Sequence, residues 1–324
     1  MSSMSMQLGH ATGMSIVRSF IKSQFGTKPR RPPADTDLSG QVAFITGSAL
    51  SHLILAVRSP EKGENAANKL RVECPTSKID VWPLEMSSFP SIQAFCRRVE
   101  TDLSRLDITI LNAGIIQENF GICSTGHQEV IQVNFLSTFL LSILMLPICK
   151  NNVPRSSPGR FRIVSSGVAL WAKLPNRDKR PLLASFDDPK DHRWDPAERY
   201  FSSKMLGHLF FVRMLEYLNA DDVIVNLVEP GMCKGSELHR GAKGAAAVFL
   251  NVFKALTGRK PQDGPWTYVD AAVVKGKSPI DVSAWTGRFI RRPIMDALWE
   301  ETLAEFEFAG ARAILEKCKK REII

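Results

Sequence analysis

Short apolar runs alternate with segments of helical periodicity from about Leu38 onward. Runs of this length that are largely apolar are typical of strands buried on both faces. Their alternation with helices predicts a parallel, doubly wound α/β sheet, Rossmann-like, in a single domain at residues 37–324. The predicted strands are Gln41–Thr46, Leu53–Val57, Ile79–Leu84, Leu106–Leu111, Phe161–Val164 and Val223–Val228.

Segments with apolar residues at helical spacing separate these runs. The third of them is so apolar between Phe135 and Cys149 that it resembles a membrane span. That stretch is shorter than the ~20 residues that a spanning helix needs, so we expect a buried core helix. The predicted helices are Glu61–Glu73, Phe89–Leu103, Glu129–Ile148, Glu198–Asn219, Gly241–Leu256, Gly264–Lys275 and Pro293–Phe308.

The chain is basic, with a formal net charge of +9 over 324 residues. Its basic residues are dispersed and carry no aromatic-interleaved patch, which argues against a nucleic-acid partner. An anionic cofactor is the simpler explanation of the charge. The six cysteines occur singly, without C-x-x-C pairs. This pattern argues against a zinc site or a disulfide framework and favours a reducing, cytoplasmic location.

Residues 1–36 have the composition of a basic leader ahead of the domain. Residues 14–25 combine apolar side chains at helical spacing with Arg18 and Lys22, and a Pro-rich stretch follows at 28–33. Such a segment is typical of a helix packed on the outside of the domain, of a mitochondrial presequence or of a peripheral membrane anchor. All three interpretations stay open. The last would give weak membrane-surface contact through residues 14–25.

Tyr200 and Lys204 are four residues apart in a predicted helix, so they lie on one face, one turn from each other. An ammonium beside a phenol favours the ionised phenol, and we expect Lys204 to lower the pKa of Tyr200. Such a phenol exchanges protons with an alcohol or alkoxide near neutral pH. The chain has only three tyrosines, so few others compete for this role.

Further motif residues fall at the ends of the predicted strands and in the long apolar helix. Taken in chain order with Tyr200 and Lys204, they resemble the short-chain dehydrogenase/reductase family, in particular its retinol-dehydrogenase-like members common in fungi. The resemblance extends from about Leu38 to Glu307. The residues that carry it are Thr46-Gly47, Asn112-Ala113-Gly114, Asn134, Ser165-Ser166 and Pro230-Gly231.

The resemblance assigns roles to four catalytic residues. It implies that Tyr200 is the general acid/base and that Lys204 also holds the nicotinamide ribose. Ser166 is expected to position and polarise the substrate oxygen, and the backbone carbonyl of Asn134 to hold a water of the proton relay. Residues 231–260 are expected to form the substrate loop and pocket helices, and residues 293–308 the family's C-terminal helix.

The cofactor preference depends on the residue that closes the second strand. An acidic residue there would bind a ribose 2′-hydroxyl, whereas arginine suits the 2′-phosphate of NADP(H). Here it is Arg58, with Lys62 one turn into the next helix, so we expect NADP(H). Glu85 stands where the family usually has an aspartate that contacts adenine. The other cofactor-binding residues implied by the resemblance are Gly47, Asn112, Ala113, Gly114, Pro230 and Gly231.

These features predict an NADP(H)-dependent oxidoreductase that transfers hydride between nicotinamide and a carbonyl or secondary alcohol of a small organic substrate. A lipophilic compound or a secondary metabolite fits this expectation. The identity of the substrate, the direction of reaction and the oligomeric state stay open. No metal site is expected.

One part of the family pattern is missing. The family expects T-G-x-x-x-G-x-G and a full helix between the first two strands, whereas only residues 48–52 separate Gly47 from Leu53. Such a segment spans at most about 17 Å, and parallel neighbours usually need a crossover of a dozen or more residues. We therefore expect that the two runs cannot both take their usual places in the sheet. The alternative function is a catalytically impaired scaffold, or the product of a mis-spliced gene.

Overall fold

A computed structural model describes residues 42–44, 51–153, 158–190, 193–231, 258 and 292–319. Within them, six strands form one parallel sheet in the order β3-β2-β1-β4-β5-β6. This confirms the predicted doubly wound α/β sheet. The strands are β1 (Val42–Phe44), β2 (His52–Val57), β3 (Lys78–Pro83), β4 (Ile108–Leu111), β5 (Gly159–Val164) and β6 (Val223–Val228).

The helices between the strands begin at residues that cap them. The side chains of Ser59 and Ser88 each accept a hydrogen bond from a backbone N–H in the first turn of the helix that follows. The Asp195 side chain does the same for the helix that contains Tyr200, and all three helices have proline in their first turn. The helices are α1 (Pro60–Glu73), α2 (Phe89–Asp102), α3 (Glu129–Asn151), α4 (Pro196–Met214), α5 (Arg292–Glu305) and α6 (Ala311–Cys318).

The first two strands correct one expectation. β1 and β2 are parallel neighbours, with Val42 beside His52 and Ala43 beside Leu53. The expectation that the two runs cannot share the sheet in their usual places is therefore wrong. The reason is the short distance that the register leaves between the two strands. This register places Phe44 and His52 about two residues apart along the strands and one strand spacing apart sideways, roughly 7 Å and 5 Å. The number of residues between them is large enough to span that distance.

α3 is the core helix that the sequence predicts. By length and composition it is the one helix within the described ranges that is apolar enough to cross a membrane, but 89% of its most apolar window is buried inside the fold. Its second turn, Gln132–Ser137, is π-helical, and ordinary α-helix follows from Thr138. π-Helical turns of this kind are frequent at functional sites.

A histidine clasp joins three segments outside the sheet. His127, just before α3, has its Nδ1 2.9 Å from an Asp187 oxygen and its Nε2 3.1 Å from a Glu305 oxygen. Burial alone would lower the pKa of His127, but the hydrogen bonds to both carboxylates raise it to about 9. The charged imidazolium therefore ties the segment ahead of α4 to α5.

Several predictions lie outside the described residues, and they stay predictions. They concern the leader at 1–36, the loop Met232–Arg240, the helices Gly241–Leu256 and Gly264–Lys275, and Gly47.

Candidate active site

The carboxyl ends of β4, β5 and β6 meet α3 and α4 at one edge of the sheet, and most of the predicted site residues lie there. Ser166 follows β5, Asn134 lies in the π-helical turn of α3, and Tyr200 and Lys204 lie in the first half of α4. Because these elements are packed around one sheet edge, residues distant in sequence come within hydrogen-bonding reach of each other.

Tyr200 lies at the centre of this cluster and is 8% exposed. Burial raises the pKa of the Tyr200 phenol to about 12; interaction with the Ser166 side chain acts in the opposite direction, and the Glu229 carboxylate raises the pKa further. This differs from the expectation that a neighbouring lysine lowers the pKa of the phenol. The buried phenol is protonated at neutral pH and is therefore a proton donor.

Lys204 is buried beside the phenol, with its Nζ 5.8 Å from the centre of the Tyr200 ring. The amine donates a hydrogen bond to the carbonyl oxygen of Val164 at 3.2 Å. Burial lowers the pKa of Lys204 to about 8, so that the amine is still largely protonated at pH 7. The lysine thus supplies a positive charge near the phenol without a direct hydrogen bond to it.

Asn134 links α3 to both neighbouring site segments. Its side-chain oxygen accepts from the backbone N–H of Ile115 at 2.8 Å, and its amide nitrogen donates to the carbonyl of Ile115 at 2.9 Å and to the Ser203 hydroxyl at 3.0 Å. The side chain therefore fixes the chain after β4 against α4. The expected role of its backbone carbonyl in a proton relay stays a prediction.

Two polar residues at the site were not singled out from the sequence. Glu229 accepts a hydrogen bond from the backbone N–H of Gly167 at 2.9 Å, and His208 contacts Ser165 at 2.6 Å. Glu229 directly precedes Pro230-Gly231, and His208 is one turn beyond Lys204, so their spacing to known motifs was the available signal.

A cleft of about 320 Å³ opens beyond the ends of β2, β3 and β4. Arg58 and Glu85 line it from the ends of β2 and β3, with Arg58 Nε 3.9 Å from a Glu85 oxygen. Asn112, Ala113 and Gly114 line the opposite side. The predicted adenosine-binding residues thus share one cleft, whereas Lys62, exposed on α1, does not line it.

The residues beside the cleft fit a nicotinamide dinucleotide. At Gly114 a Cβ would lie 3.4 Å from Lys204 Nζ and 3.5 Å from Asn134 Oδ1, so the backbone here runs close to the catalytic cluster. Gly231, with a φ of 72°, allows the chain to turn sharply after β6. Arg58 would face a ribose 2′-phosphate at one end, and Lys204 the nicotinamide ribose at the other.

The described residues contain no group of three or more His, Cys, Asp or Glu side chains arranged to hold a metal ion. The five cysteines in these ranges are all free thiols. The chemistry that this cluster itself can perform is proton transfer at the Tyr200 hydroxyl, with hydrogen bonding from Ser166.

Comparisons with known proteins point to one family. Residues 41–173 match the family described as short chain dehydrogenase. The chain is 48% identical to a short chain dehydrogenase/reductase, mfmJ, of Annulohypoxylon moriforme, over 93% of this chain and 94% of the relative. It is 36% identical to a short-chain dehydrogenase, fogG, of Aspergillus ruber, over 94% of this chain and 96% of that protein.

A solved structure shares the fold at low sequence identity. The RhlG/NADP active-site complex of Pseudomonas aeruginosa superposes with a TM-score of 0.51 and 19% identity, over 78% of this chain and 98% of that one. The alignment with the mfmJ relative extends over 328 positions, although it covers only 93% of the 324 residues here. That relative therefore has residues opposite gaps in this chain.

Proposed function

The chain belongs to the short-chain dehydrogenase/reductase family, a family of oxidoreductases that bind a nicotinamide cofactor, and we propose that it reduces a carbonyl group of a small organic substrate with NADPH. The observation that carries this proposal is the buried cluster of Tyr200, Ser166 and Lys204 beside the cleft. Negative charge develops on a carbonyl oxygen during its reduction. This charge can be stabilised by a protonated phenol, a hydroxyl and a buried cation that lie close together.

The proton transfer is assigned to Tyr200. Because its phenol is protonated at neutral pH, it can donate a proton to the developing alkoxide oxygen of the substrate. The Ser166 hydroxyl, which interacts with the same phenol, would orient that oxygen. NADPH, when bound, would supply the hydride.

Lys204 would stabilise the anionic phenolate left after proton donation. Its charge lies near the Tyr200 ring, and burial strengthens their interaction relative to water. Since the amine donates to Val164 O, it also holds the end of β5, which leads directly into Ser166. Loss of Lys204 should therefore affect both charge stabilisation and the geometry of Ser166.

The preference for NADPH rests on Arg58. Its guanidinium lines the cleft and is 67% exposed, so it is accessible to a 2′-phosphate. Glu85 lies across from it and would contact the adenine side. Arginine is suited to this task because its planar donors pair with two phosphate oxygens at once.

The substrate that we propose is apolar, with an aromatic or other planar group. Trp171 follows Ser166 closely in the chain and is 39% exposed, and its ring contacts Phe201 edge-on at 5.9 Å. Phe201 in turn lies edge-on to Tyr200 at 6.4 Å. An exposed tryptophan this close to the reacting phenol supports binding of a lipophilic carbonyl compound.

A second function is favoured by the short β1–β2 connection. The chain lacks two glycines and the crossover helix that the family uses to bind the pyrophosphate, which removes a helix N-terminus as an anion site. Under this reading the protein keeps the scaffold of the family but binds cofactor too weakly for turnover.

A cofactor-consumption screen separates the two functions. NADPH at millimolar concentration is mixed with the protein and a panel of aromatic and aliphatic aldehydes and ketones, and the loss of NADPH absorbance is followed. Oxidation that depends on both protein and carbonyl compound supports the reductase. No oxidation with any member of the panel would favour the non-catalytic scaffold.

A further inference from the structure

His208 is a buried histidine at the site for which the proposed chemistry has no use. It follows Tyr200 and Lys204 at successive four-residue intervals in α4, so the three side chains lie along one face of the helix. The exposed fractions of Lys204 and His208 are both 7%. A histidine in such a place is usually a core residue with satisfied hydrogen bonds, so its contacts decide whether it does more.

The contact of His208 is with the loop that carries the catalytic serine. Its Nε2 lies 2.6 Å from the Ser165 hydroxyl. The preceding residue, Val164, accepts the hydrogen bond of Lys204, and the following one, Ser166, contacts the Tyr200 phenol. Two of three consecutive residues at the end of β5 are therefore bonded to side chains of α4, and the third, Ser166, interacts with Tyr200.

Two backbone hydrogen bonds of this loop lead to the end of β6. The backbone N–H of Ser165 donates to the carbonyl of Val228 at 2.8 Å, and that of Gly167 to Glu229 at 2.9 Å. The backbone is thus held on one side by β6, while the Ser165 side chain is held on the other side by His208. Removal of the histidine would leave the Ser165 hydroxyl without its bond to α4.

The buried position of the His208 imidazole is energetically unfavourable. Burial, followed by the neighbouring Lys204 charge, lowers the pKa of His208 to about 4, so that the ring is neutral at pH 7. Its Nδ1 is buried without a hydrogen-bond partner within the described part of the chain. A buried polar atom without a hydrogen-bond partner is destabilising, and an apolar side chain would avoid that cost. The gain that offsets it is the bond to Ser165.

We propose that His208 is a positioning residue, which acts through Ser165 to hold the Ser166 hydroxyl against the Tyr200 phenol. The proposal rests on the proposed reductase function, because it concerns the geometry of the same proton transfer. Proton transfer requires its partners within hydrogen-bonding distance, and displacement of a catalytic group by about 1 Å can cost about 100-fold in rate. His208 itself touches neither substrate nor cofactor in this role.

The test compares four variants, Ser165→Ala, His208→Leu, His208→Gln and the double variant Ser165→Ala/His208→Leu, at saturating NADPH with benzil as the probe substrate. We expect each of the two single variants that remove the bond to lower kcat about tenfold and to leave the Kd for NADPH unchanged. His208→Gln should recover much of the loss, because a glutamine amide can bond to the Ser165 hydroxyl. The double variant should be no slower than His208→Leu, since both changes remove the same bond.

Controls distinguish positioning from folding and from the function itself. Met205→Leu, a conservative change at a buried residue of α4, should leave kcat unchanged. If His208→Leu does not fold, Ser165→Ala alone decides the matter, because it removes only one hydroxyl. Wild-type kcat in Ser165→Ala, or losses that multiply in the double variant, would overturn the proposal while Tyr200→Phe remained inactive. Turnover by Tyr200→Phe equal to wild type would instead overturn the reductase function.

Discussion

The Lys204 amine lies 5.8 Å from the centre of the Tyr200 ring, and both side chains are buried at the same edge of the sheet. The amine donates to Val164 O rather than to the phenol. Burial raises the pKa of the phenol to about 12, so the phenol is protonated at neutral pH. The positively charged Lys204 amine lies near it. This arrangement suits a proton donor better than a phenolate base.

The first prediction concerns cofactor choice. Arg58→Asp should weaken NADPH binding about 10- to 100-fold and NADH binding little, because it removes a charge-assisted contact worth roughly 1.5–3 kcal/mol and adds repulsion. Fluorescence titration with both cofactors measures this. Lys69→Asp, the same charge change at an exposed site on α1, serves as the control. Equal losses for NADPH and NADH would show that Arg58 does not meet the 2′-phosphate.

The second prediction concerns pH. The Glu229 carboxylate raises the pKa of Tyr200, so Glu229→Gln, which keeps an acceptor for Gly167 N–H, should lower that pKa. Loss of the proton donor then begins at lower pH, and the alkaline limb of the profile of kcat against pH should move in the acid direction. The measurement is kcat across pH 6 to about 11 for both proteins, and at the alkaline end Glu229→Gln should retain a smaller fraction of its maximal kcat than wild type. A shift in the alkaline direction would contradict the assignment.

The third prediction concerns stability. The pKa of His127 is raised from 6.5 to about 9 in the folded protein, so its contribution is complete below about pH 6.5 and is lost as pH rises through about 9. The maximal contribution is about 3 kcal/mol. The free energy of unfolding of His127→Gln should therefore fall further below wild type at pH 6 than at pH 9.5. A difference that is independent of pH would mean that the imidazolium pairs with neither Asp187 nor Glu305.

The sheet and most helices could be predicted from the sequence, because the spacing of apolar residues within a short segment indicates whether it is a strand or a helix. β6 has the predicted bounds, and α2 and β3 differ by one residue at their ends. The motif spacing also placed Ser166, Tyr200 and Lys204 together. The Ser165–His208 contact joins residues 43 apart, and the Asp187–His127 contact residues 60 apart. Tertiary packing brings such partners together, so these contacts cannot be predicted from local sequence patterns.

The pairing of β1 with β2 was wrongly predicted from the number of residues that connect them. The expectation compared the length of residues 48–52 with a full strand and a crossover, whereas the register leaves only a short distance between Phe44 and His52. Likewise, spacing predicted a lowered pKa for Tyr200. Burial, which depends on the whole fold, dominates instead.

The fourth prediction concerns the missing segment. The chain with this short connection should bind NADPH more weakly than the micromolar range, because the helix N-terminus that normally holds the pyrophosphate is lost. Insertion of a segment with the glycine motif and helix of the family between residues 47 and 53 should restore tight binding. Calorimetric titration of both forms measures this, and sequencing of the transcript across codons 47–53 shows which form is made. Micromolar binding by the short form would refute the argument from the missing segment.

The most direct test of the central claim is the turnover of Tyr200→Phe. The variant lacks only the hydroxyl that donates the proton, so kcat for carbonyl reduction should fall about 10²- to 10⁴-fold while the Kd for NADPH stays the same. Tyr217→Phe is the matched control, because that ring stacks on Trp299 at 5.2 Å and takes no part in the site; it should keep wild-type turnover. If Tyr200→Phe reduces the same carbonyl compound at the wild-type rate, the proton does not come from Tyr200 and the account is wrong.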